Sequence, residues 1–205
     1  MASLKRDWLY KLPLEGIQGV KQLGGGSINQ AYRVDTTKGP FMLKIQQNQD
    51  ARFFEHEIHG LRDIGEVINA PQPLAHGQID GSAYLIMTWI NQGEGSQSDL
   101  GKAVAQMHEK QAHQFGFATN HQTTVMVKNN SWNDSWTDFY VNQRIDPEVE
   151  VAKEHGCWND DRDAHYQRMR TAFIKYYNTH QVKPSLLHGD LWFGNVMFDE
   201  NGRPT

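Results

Sequence analysis

Through the first part of the chain, apolar and polar residues alternate at short range. Alternation over residues 17–23, again over 31–34, and the run Phe41-Met42-Leu43-Lys44-Ile45 predict three strands. Gly24-Gly25-Gly26 and Asp35-Thr36-Thr37-Lys38-Gly39 separate them, a spacing that suits antiparallel hairpins. Over residues 49–66 the period lengthens. Phe54, Ile58 and Leu61 stand at i, i+4 and i+7, so a helix is expected. Asn69-Ala70-Pro71-Gln72-Pro73 breaks it, and Tyr84-Leu85-Ile86-Met87-Thr88-Trp89-Ile90 predicts one more strand. The polar stretch 91–98 marks the boundary between two lobes, residues 1–92 and 93–205. Beyond it the pattern is helical. Ser98 or Asp99 can cap a helix whose Leu100, Val104 and Met107 share a face. Another helix begins near Trp132, with Trp136, Phe139 and Tyr140 as its core side, and Asp146-Pro147 marks its exit. A long polar helix is expected over residues 160–179. No internal repeat interrupts this order, and the class it predicts is α+β.

Composition narrows the functions. The 205 residues carry 20 basic against 24 acidic side chains and no long run of Lys or Arg, so nothing marks a nucleic-acid binder. No segment approaches the ~18 apolar residues of a membrane span, and no apolar stretch follows the early positive charges. A cytoplasmic protein is expected. The lone Cys157 cannot form an intrachain disulfide, which agrees with a reducing compartment. The ten histidines are scattered, and His56 and His59 lack a third ligand at a recognisable spacing for zinc.

The most informative segment is Leu187-His188-Gly189-Asp190-Leu191-Trp192-Phe193-Gly194-Asn195-Val196-Met197-Phe198, a polar loop entered and left through apolar stretches. Its Asp190-to-Asn195 spacing equals that of the kinase catalytic loop, in which Asp accepts the substrate hydroxyl's proton and Asn holds a magnesium ion. The residue types suit the chemistry. A carboxylate can accept a proton from an attacking alcohol, and an amide oxygen is a hard neutral ligand for Mg²⁺. Taken alone, His-Gly-Asp is also an ordinary turn; the whole run is far more specific.

Upstream, Lys44 sits inside an apolar strand, where an ammonium needs a partner. Kinases pair such a lysine with phosphate and with a glutamate of the next helix. Two glutamates compete. With Phe54 at zero, Ile58 lies at about 40° and Leu61 at about 340°, whereas Glu57 falls at about 300° and Glu55 at about 100°. Glu57 is nearer the inward face. Gly24-Gly25-Gly26-Ser27 stands where a phosphate-cradling loop would stand, because missing side chains let backbone N–H groups approach phosphate oxygens. A triple glycine alone is commonly a flexible turn; the order of glycine loop, strand lysine, helix glutamate and Asp/Asn loop gives it weight.

These residues resemble the fructosamine kinase family. The resemblance is carried by Gly24-Gly25-Gly26-Ser27-Ile28-Asn29-Gln30-Ala31-Tyr32, Phe54-Glu55-His56-Glu57, Gln114-Phe115-Gly116-Phe117, Trp136 with Gln143-Arg144, and Leu187-His188-Gly189-Asp190-Leu191-Trp192 with Gly194-Asn195. It implies a two-lobed protein-kinase-like fold, with a small antiparallel sheet and one helix in the first lobe. It implies ATP-dependent phosphorylation of a sugar hydroxyl, typically the 3-hydroxyl, on ketosamines free or attached to glycated protein, with Mg²⁺. By position, Asp190 would be the base, Asn195 a metal ligand, Lys44 the phosphate clamp with Glu57 its partner, and Met87, Thr88, Trp89 and Ile90 the segment against adenine. The alternatives are another small-molecule kinase, of the aminoglycoside or choline type, or a non-catalytic nucleotide-binding fragment. Asp199-Glu200-Asn201-Gly202 reads as a hairpin turn with Arg203-Pro204-Thr205 returning. The family carries its main magnesium-binding aspartate further along that strand, so the chain is expected to be a truncated piece with little activity of its own.

Overall fold

The computed structural model describes residue 4 and residues 6–24, 30–122 and 126–205. The chain gathers into two compact units, Met1–Met107 with His188–Thr205, and His108–Leu187.

The first unit is built on a five-stranded antiparallel sheet. After a short helix α1 (Arg6–Leu9), the strands are β1 (Ile17–Gln22), β2 (Gln30–Thr36), β3 (Gly39–Gln47), β4 (Pro73–Ile79) and β5 (Ser82–Thr88), in spatial order β1-β2-β3-β5-β4. Helix α2 (Glu55–Gly65) lies between β3 and β4 in sequence. Both faces of the sheet are apolar. Trp8, Tyr32, Val34, Leu43, Ile45, Tyr84 and Ile86 form one layer; Phe54, Ile58, Ala83, Leu85 and Met87 form the other. The interior strand β5 is therefore buried from Ala83 through Met87, which is why it reads as one continuous apolar run. Full burial of side chains such as Leu43, Leu85 and Phe54 contributes roughly 1.5–3 kcal/mol each.

Two boundaries differ from expectation, and one strand is new. Asp50 accepts the Arg52 N–H at 2.8 Å and caps a single 3₁₀ turn, Ala51–Phe54, so the α-helix proper starts at Glu55. The last β3–β5 pair is Phe41 opposite Thr88, which leaves Trp89 and Ile90 beyond the sheet. Strand β4 escaped the alternation test because its inward positions are small. A Cβ on Gly77 would meet the Tyr84 hydroxyl at 2.9 Å, while the larger Leu74 faces outward. Asp80 and Gly81, at φ 50° and 77°, close the β4–β5 hairpin in the left-handed region that a two-residue turn of this hand requires.

After β5 the chain forms β6 (Gln92–Gly93) and α3 (Gln97–Glu109). In the second unit follow β7 (His121–Gln122), β8 (Val127–Lys128), α4 (Trp136–Tyr140), α5 (Asp146–Glu154) and α6 (Asp160–Tyr177). Asp146-Pro147 does not end a helix. Residues Val141–Ile145 form a π turn, with the Asp146 N–H reaching back to the Val141 carbonyl, and Pro147 enters the first turn of α5, where its missing N–H costs little. Ser135 caps α4, so that helix starts later than the aromatic pattern suggested. Trp136, Phe139, Tyr140, Phe173 and Tyr177, each partly buried, pack ring against ring in this unit. Beside them the Tyr166 hydroxyl donates to Asp146; burial first, and that carboxylate second, push its pKa up to about 12. The Gln114-to-Phe117 and Gln143-Arg144 blocks meet here. Phe115 and Asn133 exchange backbone bonds, Gln143 donates to the Ser131 carbonyl at 2.9 Å, and Arg144 reaches Asn130 while lying over the Phe139 ring. Among the described residues no helix is long and apolar enough to cross a membrane.

Candidate active site

On β3, Leu43 and Ile45 enter one apolar layer, so Lys44 between them is turned toward the layer under α2. There its Nζ donates to Glu57 Oε1 at 2.5 Å, with the two side chains 23% and 29% exposed. A partly buried pair of this kind holds its ammonium in place, and losing one partner would leave the other uncompensated. Glu55, one residue into α2 on its other side, acts on Arg52 instead, adding to the larger effect of Asp50 in raising that guanidinium's pKa.

The hairpin of β1 and β2 ends where the Leu23 N–H donates to the Ala31 carbonyl at 2.8 Å. Gly24 lies just inside that closing bond, with no atom of the described residues within 4 Å of where a Cβ would stand. Gly25, Gly26 and Ser27 lie outside the described residues. Of the segment expected against adenine, Met87 is buried in the apolar layer, and Thr88 is bound to Gln72 through both its N–H and its hydroxyl, at 3.0 and 2.8 Å. Trp89 lies under the Arg33 guanidinium. Thr88, Trp89 and Ile90 line a cleft of about 280 Å³ together with Asn69, Asp199 and Arg203.

The Asp190 loop belongs to the same compact unit. Gly189 has φ 82°, a conformation costly for any side chain, and so turns the chain between His188 and Asp190. His188 Nδ1 accepts the Asp190 N–H at 3.3 Å. A 3₁₀ turn, Phe193–Asn195, follows. Asn195 Nδ2 donates to both the Asp190 carbonyl and its carboxylate Oδ2, at 2.9 and 2.8 Å. Because both acceptors are oxygens, the amide orientation is fixed and Asn195 Oδ1 faces away from Asp190. Two groups are thereby presented on an exposed loop, one carboxylate oxygen that can take a proton and one amide oxygen suited to a hard cation. This donor set fits a magnesium ligand at Asn195, although the described residues contribute no cluster of three acidic, His or Cys side chains nearby. Trp192, half exposed, folds its ring against Gly194, and Phe193 is 89% exposed.

The loop runs into a hairpin of residues 197–205. Strand β9 (Phe198–Asp199) pairs with β6, and Met197 and Thr205 exchange backbone bonds at 3.0 and 2.8 Å across the turn at Gly202, φ 77°. Asp199 is buried. Its carboxylate accepts the Asn201 and Arg203 N–H groups at 2.9 Å each and the Arg203 guanidinium at 2.7 Å, and the Arg203 bonds hold its pKa below the usual range against the opposing effect of burial. Sequence reasoning noticed the turn but assigned this aspartate nothing. It missed Asn69 altogether, since a lone Asn in a Pro-rich loop carries no signal.

An antiparallel sheet with a lysine–glutamate pair under a helix, joined to an Asp/Asn loop and hairpin, has the architecture of the protein-kinase-like phosphotransferases. A family model described as fructosamine kinase matches residues 2–205. The chain is 43% identical to a Lactiplantibacillus plantarum protein named "Probable ketoamine kinase", over 98% of this chain and 72% of that one. It is 32% identical to the chloroplastic protein-ribulosamine 3-kinase of Arabidopsis thaliana, over 98% of this chain and 64% of that one. The solved structure of a fructosamine-3-kinase candidate from Thermobifida fusca superposes with a TM-score of 0.76 at 25% identity, over 91% of this chain and 66% of that chain. The chain belongs to the fructosamine kinase family, whose members are kinases acting on an alcohol group, and it spans roughly two thirds of the length of the relatives it matches.

Proposed function

We propose that the protein uses ATP and Mg²⁺ to phosphorylate a sugar hydroxyl, the 3-hydroxyl, of ketosamines such as fructosamines and ribulosamines, free or on glycated protein. The observation that carries this reading is the Asn195 amide fastened to Asp190 by two hydrogen bonds, which leaves the other oxygen of each exposed side chain without a hydrogen bond among the described residues. The ketoamine- and ribulosamine-kinase names of the relatives supply the acceptor class.

In this mechanism Lys44, aimed by Glu57, binds the α- and β-phosphates, and the loop at Gly24, Gly25, Gly26 and Ser27 covers them with backbone N–H groups. The backbone of Trp89 and Ile90, free of the sheet ladder, meets the adenine edge, with Met87 and Thr88 fixing the start of that segment. Asp190 accepts the proton of the sugar hydroxyl as its oxygen bonds to the γ-phosphorus and the bond from that phosphorus to the β,γ-bridging oxygen breaks, releasing ADP. Asn195 Oδ1 would hold Mg²⁺, which when bound would supply positive charge to offset the phosphates. We assign nucleotide binding to residues 1–92 and the catalytic loop to the part of the chain over 93–205, whose residues 188–205 gather with the first unit, and we place the reaction in the cytoplasm.

The test is incubation of the whole protein with ATP, Mg²⁺ and a panel of fructoselysine, ribuloselysine and aminoglycosides, read by mass spectrometry. One added phosphate on the ketosamines, lost in Asp190→Ala, supports the reading. Phosphate on an aminoglycoside alone, or ADP formation with no phosphorylated acceptor, refutes it.

A further inference from the structure

Asn69 stands between α2 and β4, and its Nδ2 donates to two acceptors at once, Asp199 Oδ2 at 3.2 Å and Thr205 Oγ1 at 2.9 Å. A primary amide has two N–H bonds, so this donor is fully used. Both acceptors belong to the hairpin that leaves the Asp190/Asn195 loop. Asp199 does not need Asn69 to complete its own turn, because the Asn201 and Arg203 N–H groups and the Arg203 guanidinium already surround its carboxylate. The extra bond therefore joins two parts of the unit, the hairpin and the loop that follows Glu57's helix. On its other edge the same hairpin is held by β6, with the Asn91 amide donating to Glu200 at 3.2 Å.

Resting on the kinase reading above, we propose that Asn69 is a positioning residue: through Asp199 and Thr205 it fixes the exit of the Asp190/Asn195 loop relative to the helix that aims Lys44. Phosphoryl transfer draws its acceleration from alignment and charge placement, and a misplacement of about 1 Å can cost on the order of a hundredfold in rate. A side chain that touches neither nucleotide nor acceptor can in this way control turnover.

The experiment compares the whole protein with Asn69→Ala and Asn69→Asp, measuring kcat, KM for ATP, thermal melting and backbone hydrogen exchange. In Asn69→Ala, kcat should fall about tenfold while KM for ATP stays within about twofold. Asn69→Asp, which sets two carboxylates against each other, should be worse. An unchanged kcat per folded molecule, with the damage confined to melting temperature, overturns the proposal. If Asn69→Ala does not fold, Asn69→Ser is judged by the same criteria. Should the unsubstituted protein phosphorylate no ketosamine, the activity reading fails by itself; the link is then decided by exchange of the Asn195 N–H, expected to quicken about tenfold in Asn69→Ala, with unchanged exchange counting against it.

Discussion

The two side-chain pairs assigned to the chemistry are held by opposite means. Lys44 and Glu57 come from a strand and a helix, sit about a quarter exposed, and are brought together by the apolar layer of Phe54, Ile58, Leu85 and Met87. Asp190 and Asn195 lie five residues apart on one exposed loop and are joined by the Asn195 amide, with Gly189 and His188 setting the bend. On the proposed reading, the core builds the nucleotide side in advance, whereas local bonds and the hairpin behind the loop maintain the acceptor side. Damage to the first should register in binding and stability together; loss of a side chain of the second pair should register chiefly in turnover.

That contrast can be broken most sharply at Asp190. Asp190→Ala should reduce phosphoryl transfer by about 10³-fold or more and leave the ATP Kd from calorimetry within about twofold; normal turnover would remove the residue from its role. Lys44→Met comes next, with kcat/KM for ATP down about a hundredfold and weaker nucleotide binding, because Glu57 loses its partner and phosphate loses its cation. Glu57→Gln should cost about tenfold, against less than about twofold for Glu55→Gln; equal losses would contradict the geometry of α2. Gly189→Ala should lower stability by about 1–2 kcal/mol through its positive φ, visible as a shift in denaturant midpoint. The smallest effect is acid sensitivity at Asp199. Its folded pKa lies below the ordinary value of 3.8, so the stabilisation it gives is present above that value and disappears as pH falls through the lowered one. Hairpin protection measured by hydrogen exchange should fall in that window, and Asp199→Asn should flatten the dependence.

Much of this was legible in the sequence because it follows from periodicity. The three strands before α2, the Glu57 side of that helix and the hairpin turn at Gly202 all come from local pattern, and local pattern is what a single chain displays. What stayed hidden depends on neighbours. Strand β4 carries Ala75 and Gly77 inward because Tyr84 needs the space, so its alternation looks inverted. Pro147 reads as a stop until the π turn at Val141–Ile145 shifts the hydrogen-bond register. Asn69 acquires meaning only from Asp199, 130 positions away.

The stretch Gln92-Gly93-Glu94-Gly95 would pass, by composition, for a slack tether into which a tag could be inserted or at which the chain could be reopened. Its glycines answer to clearance instead: a methyl on Gly95 would strike the Phe198 ring and one on Gly93 the Asp199 carbonyl. Protein engineers should leave it alone, since a single added carbon there wedges open the support beneath the phosphotransfer loop.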